Sequence, residues 1–309
     1  MTLSLQLVQL FLLSFCILSL ASVGGMFSER VGIVNIGING MMIIGATVYV
    51  IFGSYFGQKP PIVAQFILIL VSALGGGLFS LIHAFATIKL KADHTISGFA
   101  INMLAFGIAL VLLTIYGGGS AKNVPFFVKE VALDSEVSSW KNLLSLRNIL
   151  TVIILVLAFV ALKWTRWGLR LKSIGENPQA ADVAGVNVNS YKWQGVFISG
   201  LLAGIAGGFF VQYSPTSFKG EVQGLGYLAL AIMIMGQWIV QWIVLSAVVF
   251  SLLRSASFVL PVFQPDTLGK FTDLFYTIPY FITFIMMILM KGRGFAPAAA
   301  GFAYDKSKR

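Results

Sequence analysis

Two asparagines in a glycine-rich apolar stretch are the side chains most suited to chemistry in this sequence. Asn35 and Asn39 are four residues apart, a spacing that predicts both amides on one helical face. Amides donate and accept hydrogen bonds without carrying charge, so inside a membrane they need polar partners. The pair either bonds to a neighbouring helix and to backbone freed by Gly32, Gly37 and Gly40, or lines a polar path. The sequence leaves both alternatives open.

Other polar groups in the apolar runs are scarce. Asn102 is an isolated amide and joins Asn35 and Asn39 as a candidate residue of a polar route. For Asn102, a structural hydrogen bond is favoured over a contact with a ligand. His83 and Arg254 lie near the ends of their apolar runs, and no Asp or Glu falls in the middle of one. Proton- or sodium-coupled carriers usually keep such groups at mid-membrane, so an autonomous gradient-driven carrier is disfavoured.

The composition predicts an all-α, polytopic membrane protein. Of the 309 residues, 58% are apolar and 10% are charged, whereas a soluble domain carries about 25% charged residues. Because about 20 residues cross a membrane as one helix, roughly nine spans would fill the chain and leave no soluble catalytic domain. A membrane-embedded enzyme ranks last, since no acid, base or metal-ligand cluster is visible and Cys16 is the single cysteine.

About nine apolar runs mark the predicted spans of a single transmembrane domain over residues 1–309. The seventh and eighth runs are short and are separated by Gln237 and Trp238, so they form either two tilted spans or one broken span. The runs are residues 4–25, 33–53, 62–88, 96–116, 148–164, 193–213, 224–236, 239–256 and 272–290.

Basic residues predict the orientation. If the tract 163–192 and the tail 291–309 are cytoplasmic, basic residues favour the cytoplasmic side by about two to one. The amino terminus is then outside, the carboxyl terminus is cytoplasmic, and the loop 117–147 is an outer loop. The net charge of +10 therefore indicates cytoplasmic loops beside membrane lipid and no nucleic acid partner.

Small residues predict where the helices pack. Gly200, Gly204 and Gly208 recur every fourth residue and form one smooth helical face. In lipid, helices associate through close backbone approach at such faces. Packing within the chain is favoured over a contact between subunits.

A short helix is predicted between two spans, in the cytoplasmic segment 165–192. Asn177 can cap the helix, Pro178 suits its first position, and Gly185 stops it. The helix is either a solvated loop element or a docking element that enters a groove on a cytoplasmic partner.

Five motifs in order across residues 28–304 resemble the permease subunits of ATP-binding-cassette importers for simple sugars, nucleosides and branched-chain amino acids. The resemblance is closest to the nucleoside branch associated with basic-membrane-protein-type lipoproteins. Two departures are Asn39, where Glu is more usual, and Gln237-Trp238, which replaces a basic-Trp-Asn-Pro turn. The motifs are Ser28-Glu29-Arg30 continuing to Met42, Gly175-Glu176-Asn177-Pro178-x-Ala180-Ala181, the glycine run 200–208, Gly224-x-Gly226-Tyr227, and Ala296-Pro297-x-Ala299-x-Gly301-x-x-Tyr304.

The resemblance implies specific roles and partners. The segment around residues 173–185 would couple the chain to an ATPase subunit, through Gly175, Glu176, Asn177, Pro178, Ala180 and Ala181. A second, sister permease and an external substrate-binding lipoprotein would complete an importer in the plasma membrane. This chain would bind no cofactor, and ATP and Mg would lie on the partner ATPase.

The predicted function is therefore that of a permease subunit without its own ATPase site, which imports nucleosides or simple sugars. The sequence contains no Gly-x-x-x-x-Gly-Lys-Ser/Thr loop to hold ATP phosphates, which agrees with this division of labour. A branched-chain amino acid permease is the main alternative, and a zwitterionic substrate would need charged groups or helix ends along its route.

Overall fold

A computed structural model describes residues 3–56, 62–116, 124–125, 145–213, 217–263, 272–289 and 296–305. Within these ranges the protein is almost entirely helical, and a helix covers most of each predicted apolar run. The helices are α1 (Leu3–Glu29), α2 (Ile38–Phe56), α3 (Ile62–Ala84), α4 (His94–Tyr116), α5 (Leu146–Trp164), α6 (Arg166–Glu176), α7 (Pro178–Val183), α8 (Val188–Tyr213), α9 (Leu225–Met235), α10 (Val240–Phe263) and α11 (Thr272–Leu289).

Two short features connect these helices. A π-helical turn, Phe85–Lys89, extends α3. The strands β1 (Val124–Pro125) and β2 (Ser217–Phe218) pair antiparallel, with Val124 opposite Phe218. Apart from β1 and its last three residues, the predicted outer loop 117–147 lies outside the described residues.

Helix α8 is the centre of the bundle. It packs against α1, α2 and α3, while α10 packs against α1 and α11, and α4 packs against α2. The outer faces of α3, α4 and α5 are apolar and exposed, as expected for helices that meet lipid or another membrane subunit. They include Leu70, Leu78, Met103, Val111, Val156 and Leu157.

Six helices of the described part are long and apolar enough to cross a membrane. They cover Leu5–Glu29, Val63–Lys89, His94–Tyr116, Leu146–Trp164, Val188–Gln212 and Val240–Val259. The apolar segments Ile38–Ser54 and Leu225–Met235 are shorter. The second belongs to α9, whose 11 residues extend only about 17 Å, roughly half of the hydrocarbon core.

Helix α2 begins later than the sequence predicts. The predicted run starts at residue 33, but residues 30–37 are turns and extended backbone, and α2 begins at Ile38. Gly32 has a φ of +83°, a conformation that favours glycine, and it turns the chain away from α1. Asn35 and Asn39 therefore do not share a helical face, because only Asn39 is helical.

Candidate functional site

Helix α7 forms where the sequence predicts a short helix, and the structure places a second helix, α6, directly before it. The Oδ1 atom of Asn177 accepts a hydrogen bond from the backbone N–H of Ala180 at 3.0 Å and so caps α7. Pro178 is the first residue of α7, where its missing N–H costs nothing. After α7, Gly185 adopts a φ of +82°, which ends the helix and turns the chain towards α8.

The bundle holds this segment on one side only. Gly175, Pro178 and Ala181 are buried, whereas Glu176, Asn177 and Ala180 are exposed. Gly175 lies directly against the carbonyl of Arg30, leaving no room for a side chain. Of the six predicted coupling residues, three thus face the bundle and three face outward. Val183, next to them, is an apolar side chain that is 76% exposed, which is typical of a surface that a partner covers.

The carboxyl-terminal tail, residues 296–305, fastens this segment to the rest of the bundle. The Ala299 N–H donates to the Gly175 carbonyl at 2.8 Å, and the Gly301 N–H donates to the Gly32 carbonyl at 3.2 Å. Tyr304 packs beside Ile174, Ala181 and Val188. Asp305 forms a 2.9 Å ion pair with Lys91. The tail therefore joins the predicted coupling segment to the turn after α1 and to the α3–α4 connection.

Arg30 links α1 to the break between α9 and α10. Its Nε and Nη2 atoms donate to the Trp238 carbonyl at 3.1 and 2.7 Å, and the Trp238 indole donates to the Glu29 carboxylate at 2.6 Å. Gln237 and Trp238 both have positive φ values, 52° and 56°, so the break is a tight left-handed turn held by this clamp. The Arg30 Nη1 atom also lies 4.0 Å from the Glu176 carboxylate at the edge of α6.

We expect Arg30→Lys to lower the thermal stability of the purified protein, because an ammonium group cannot reproduce the two-pronged contact with Trp238. Loss of one charged hydrogen bond costs about 2 kcal/mol. The Arg30 side chain is only 12% exposed, so water cannot fully replace that bond. Lys91→Met is the control, since the partly exposed pair with Asp305 is worth at most about 1 kcal/mol. Equal melting temperatures for both variants would contradict the clamp.

Side chains of α1, α3 and α4 satisfy the non-helical backbone after α1. Ser28 donates to the Ile33 carbonyl at 2.8 Å, His83 lies 3.1 Å from the Val34 carbonyl, and the Val34 N–H reaches His94 at 3.3 Å. Buried backbone groups without such partners would be costly at this depth. The broken segment is therefore built into the bundle by polar contacts from α3 and α4.

Each of the three predicted asparagines is engaged in a hydrogen bond with the protein. Asn35 is fully buried and its Nδ2 atom donates to Ser199 at 2.9 Å. Asn39 accepts from the Gly226 N–H at 3.2 Å, which joins α2 to α9. Asn102 accepts from the Gly40 N–H at 2.7 Å and donates to the Ile36 carbonyl and the Tyr227 hydroxyl, both at 3.0 Å. The three amides do not meet at one point, but together they surround the start of α2.

The glycine face of α8 lies against α3. Gly200 approaches Ser80, Gly208 approaches Ser72 and Tyr49, and Gly204 contacts the backbone of α3 at Ser72 and Ala73. The Ser72 hydroxyl lies 2.6 Å from the Gly204 carbonyl and 2.9 Å from the Gly45 carbonyl of α2. The three helices therefore meet at one small-residue junction.

Several residues of this polar framework give no signal in the sequence. Ser72 and Ser199 are lone polar residues within apolar runs, and His94 stands in a polar stretch just before one. Their partners are more than 25 residues away in the chain. The Gln237-Trp238 interruption indicates a break but not that Arg30 and Glu29 hold it. Among the described residues, no group of three His, Cys, Asp or Glu side chains is placed to hold a metal ion.

Comparisons with known proteins find permease components of transport systems. A family model described as "Branched-chain amino acid transport system / permease component" matches residues 7–290. The nucleoside ABC transporter permease protein NupC of Lactococcus lactis is 38% identical over 302 residues, covering 93% of this chain and 92% of NupC. The guanosine ABC transporter permease protein NupQ of Bacillus subtilis is 36% identical, covering 94% of each chain.

A solved structure shares the fold. It is an inward-facing ABC transporter of metal-chelate type, with a TM-score of 0.52 at 15% identity, covering 91% of this chain and 85% of that one. At this identity the likeness concerns the fold alone.

Proposed function

Because this chain belongs to the family of branched-chain amino acid transport system permease components, we propose that it is the membrane-spanning permease subunit of an ATP-driven nucleoside importer. Similarity over more than nine-tenths of the chain to two permeases named for nucleosides and guanosine carries the proposal. The exposed edge of α6–α7 supports it, since a permease without its own ATP site needs a surface on which an ATPase can act.

We further propose that the exposed edge formed by Glu176, Asn177, Ala180 and Val183 docks on the ATPase, which binds ATP and Mg. Gly175, Pro178 and Ala181 form the opposite, buried edge, through which movement of the segment would reach the bundle. Gly175 contacts both the Arg30 carbonyl and the tail, so α6 cannot shift without displacing them. A sister permease and an external substrate-binding lipoprotein complete the proposed assembly.

The proposed topology is one domain over residues 1–309 in the plasma membrane, with about nine helices entering the membrane. The amino terminus is outside, and the coupling segment 165–192 and the carboxyl terminus are cytoplasmic. The bonds between Gly175, Gly32 and the tail support this orientation, because they gather predicted cytoplasmic segments at one end of the bundle. The ion pair between Lys91 and Asp305 adds a fourth such segment.

Reconstitution of the purified complex tests the function. Proteoliposomes that contain this chain, its ATPase and its sister permease, with the loaded binding protein outside, should accumulate tritiated guanosine only with ATP inside. Uptake of leucine and not of guanosine would assign the chain to the amino acid branch of the family. Uptake by this chain alone, without an ATPase, would instead indicate an autonomous carrier.

The polar route through Asn35, Asn39 and Asn102 is a separate part of the proposal. We expect Asn35→Leu to lower guanosine uptake while the complex still assembles. Leucine removes the single side-chain amide of residues 30–37, the non-helical segment between α1 and α2. Ser199→Ala is the matched control, since it removes the same 2.9 Å hydrogen bond but leaves the amide in place. Equal losses of uptake in the two variants would assign Asn35 to packing and not to the route.

A further inference from the structure

The chain between β2 and α9 is irregular, although it lies within the depth of the membrane helices. Residues 219–224 form neither helix nor strand. A side chain at Gly220 would stand 3.6 Å from Ala109, Leu110 and Leu113 of α4, and Tyr227, after this segment, bonds to Asn102 of the same helix. Leu113 lies three residues before the end of α4, whereas Asn102 lies about 12 Å from its start. The chain therefore passes from near one end of α4 at Gly220 to mid-membrane level at Tyr227.

Two further helices contact the turn that ends the segment. Arg254, in the second half of α10, donates to the Gln223 side chain at 3.3 Å. Tyr280, near the middle of α11, donates to the Gln223 carbonyl at 3.3 Å. Gln223 and Gly224 both have positive φ values, 53° and 68°, so the turn into α9 is sharp.

This irregular segment is exposed on the surface of the chain. Lys219, Glu221 and Gln223 are exposed, and the Tyr227 side chain is 41% exposed. Lipid-exposed irregular backbone does not occur in the hydrocarbon region. The exposed face formed by Gln223 and Tyr227 therefore does not meet lipid.

The hydrogen bonds of Asn102 leave the hydroxyl hydrogen of Tyr227 available on this face. Because the Gly40 N–H donates to Asn102 Oδ1, the amide orientation is fixed. Both Nδ2 hydrogens are then used, one on the Ile36 carbonyl and one on the Tyr227 hydroxyl. The Tyr227 oxygen accepts that bond, so its own hydrogen points to a further acceptor, and no such acceptor is seen among the described residues.

We propose that Tyr227 is a substrate-contacting residue on a water-filled face of the translocation path, and that Asn102 positions it. A nucleobase would stack on the exposed ring, and the Tyr227 hydroxyl would donate to an oxygen or nitrogen acceptor of the nucleoside. This proposal rests on the proposed nucleoside function for the choice of ligand. It changes the role of Asn102, whose amide is fully occupied by the protein and does not itself reach the substrate.

Thiol labelling tests the water-filled face without reference to the substrate. The native Cys16 is buried, so wild-type protein serves as the blank. In the assembled complex, the Gln223→Cys and Tyr227→Cys variants should react with a membrane-impermeant thiol reagent at least about tenfold faster than Phe66→Cys, because thiolates form in water and not in lipid. Phe66 is an exposed aromatic side chain of α3, 51% exposed. Rates equal to that of Phe66→Cys would overturn the proposal.

Uptake of tritiated guanosine tests the contact itself. We expect Tyr227→Leu to lower maximal uptake about tenfold, the usual scale for loss of one base–aromatic stack. Tyr227→Phe, which keeps the ring and loses the hydroxyl, should retain an intermediate rate, and Phe66→Leu should be unchanged. If Tyr227→Phe falls as far as Tyr227→Leu, or if neither changes uptake in an assembled complex, stacking is excluded.

The two tests separate this inference from the proposed function. If wild-type complex imports leucine and not guanosine, the nucleoside function fails whatever the labelling rates are. If guanosine is imported normally by Tyr227→Leu, the function stands and the role of Tyr227 fails.

Discussion

Gly204→Val is expected to remove the folded permease from the membrane. At Gly204 an added Cβ atom would collide with the Ser72 carbonyl and stand 3.1 Å from the Ala73 carbonyl. Backbone of another helix cannot yield as the end of a flexible side chain can, so α3 and α8 must separate. Overpacking of this kind usually costs about 1–3 kcal/mol, and here the same displacement also breaks the contact of Gly204 with Gly45 and Gly76.

The measurement is the amount of monodisperse protein after extraction in mild detergent, with its melting temperature. Gly204→Ala should show a smaller loss in the same direction. Gly107→Ala is the matched control, because Gly107 is also a glycine of a membrane helix but no atom lies within 4 Å of its added Cβ. Alanine is the better helix former, so this control should be as stable as wild type or slightly more stable. Wild-type yield of Gly204→Val would contradict close packing at the junction.

The double variant Glu176→Ala, Asn177→Ala is expected to uncouple ATP hydrolysis from uptake while the membrane helices stay folded. Both side chains lie on the exposed edge of the segment, and Asn177 also caps α7. Loss of two central contacts in an interface costs about 2 kcal/mol or more, which corresponds to about 30-fold weaker docking. Uptake of guanosine should fall, and ATP hydrolysis should no longer respond to the loaded binding protein.

A matched control separates docking from helix capping. Asn187 caps the start of α8 as Asn177 caps α7, with its Oδ1 atom accepting from the Ser190 N–H at 3.2 Å. Asn187→Ala should cost about the same 1 kcal/mol of helix stability and leave coupled uptake intact. Unchanged uptake in the double variant would remove the coupling role from this edge.

Most of the helices could be predicted from the sequence, but the start of α2 could not. Apolar runs of about 20 residues are local properties, and a helix covers most of each predicted run in the structure. The start of α2 is different, because its broken backbone depends on His83, His94 and Asn102 from later helices. No pattern within residues 30–37 indicates those partners, so the expectation that Asn35 and Asn39 share a helix face was wrong.

In the coupling segment, too, the local helix followed from the sequence, whereas the burial of its faces did not. Asn177, Pro178 and Gly185 define α7 through local rules of capping and termination, and the sequence alone predicted them. Which side of α6–α7 is buried depends on the carbonyl of Arg30 and on the tail around Ala299, more than 100 residues away in each direction.

The sequence by itself determined the membrane class, the helices, the capped segment between α5 and α8, and the resemblance to importer permeases, because these depend on composition and short-range pattern. Only the tertiary structure decided that Arg30 clamps the Trp238 turn, that the tail fastens Gly175, and that Asn102 orients Tyr227. Each of these is a hydrogen bond between groups distant in the chain, and the partner of a buried polar group is chosen by how the helices pack.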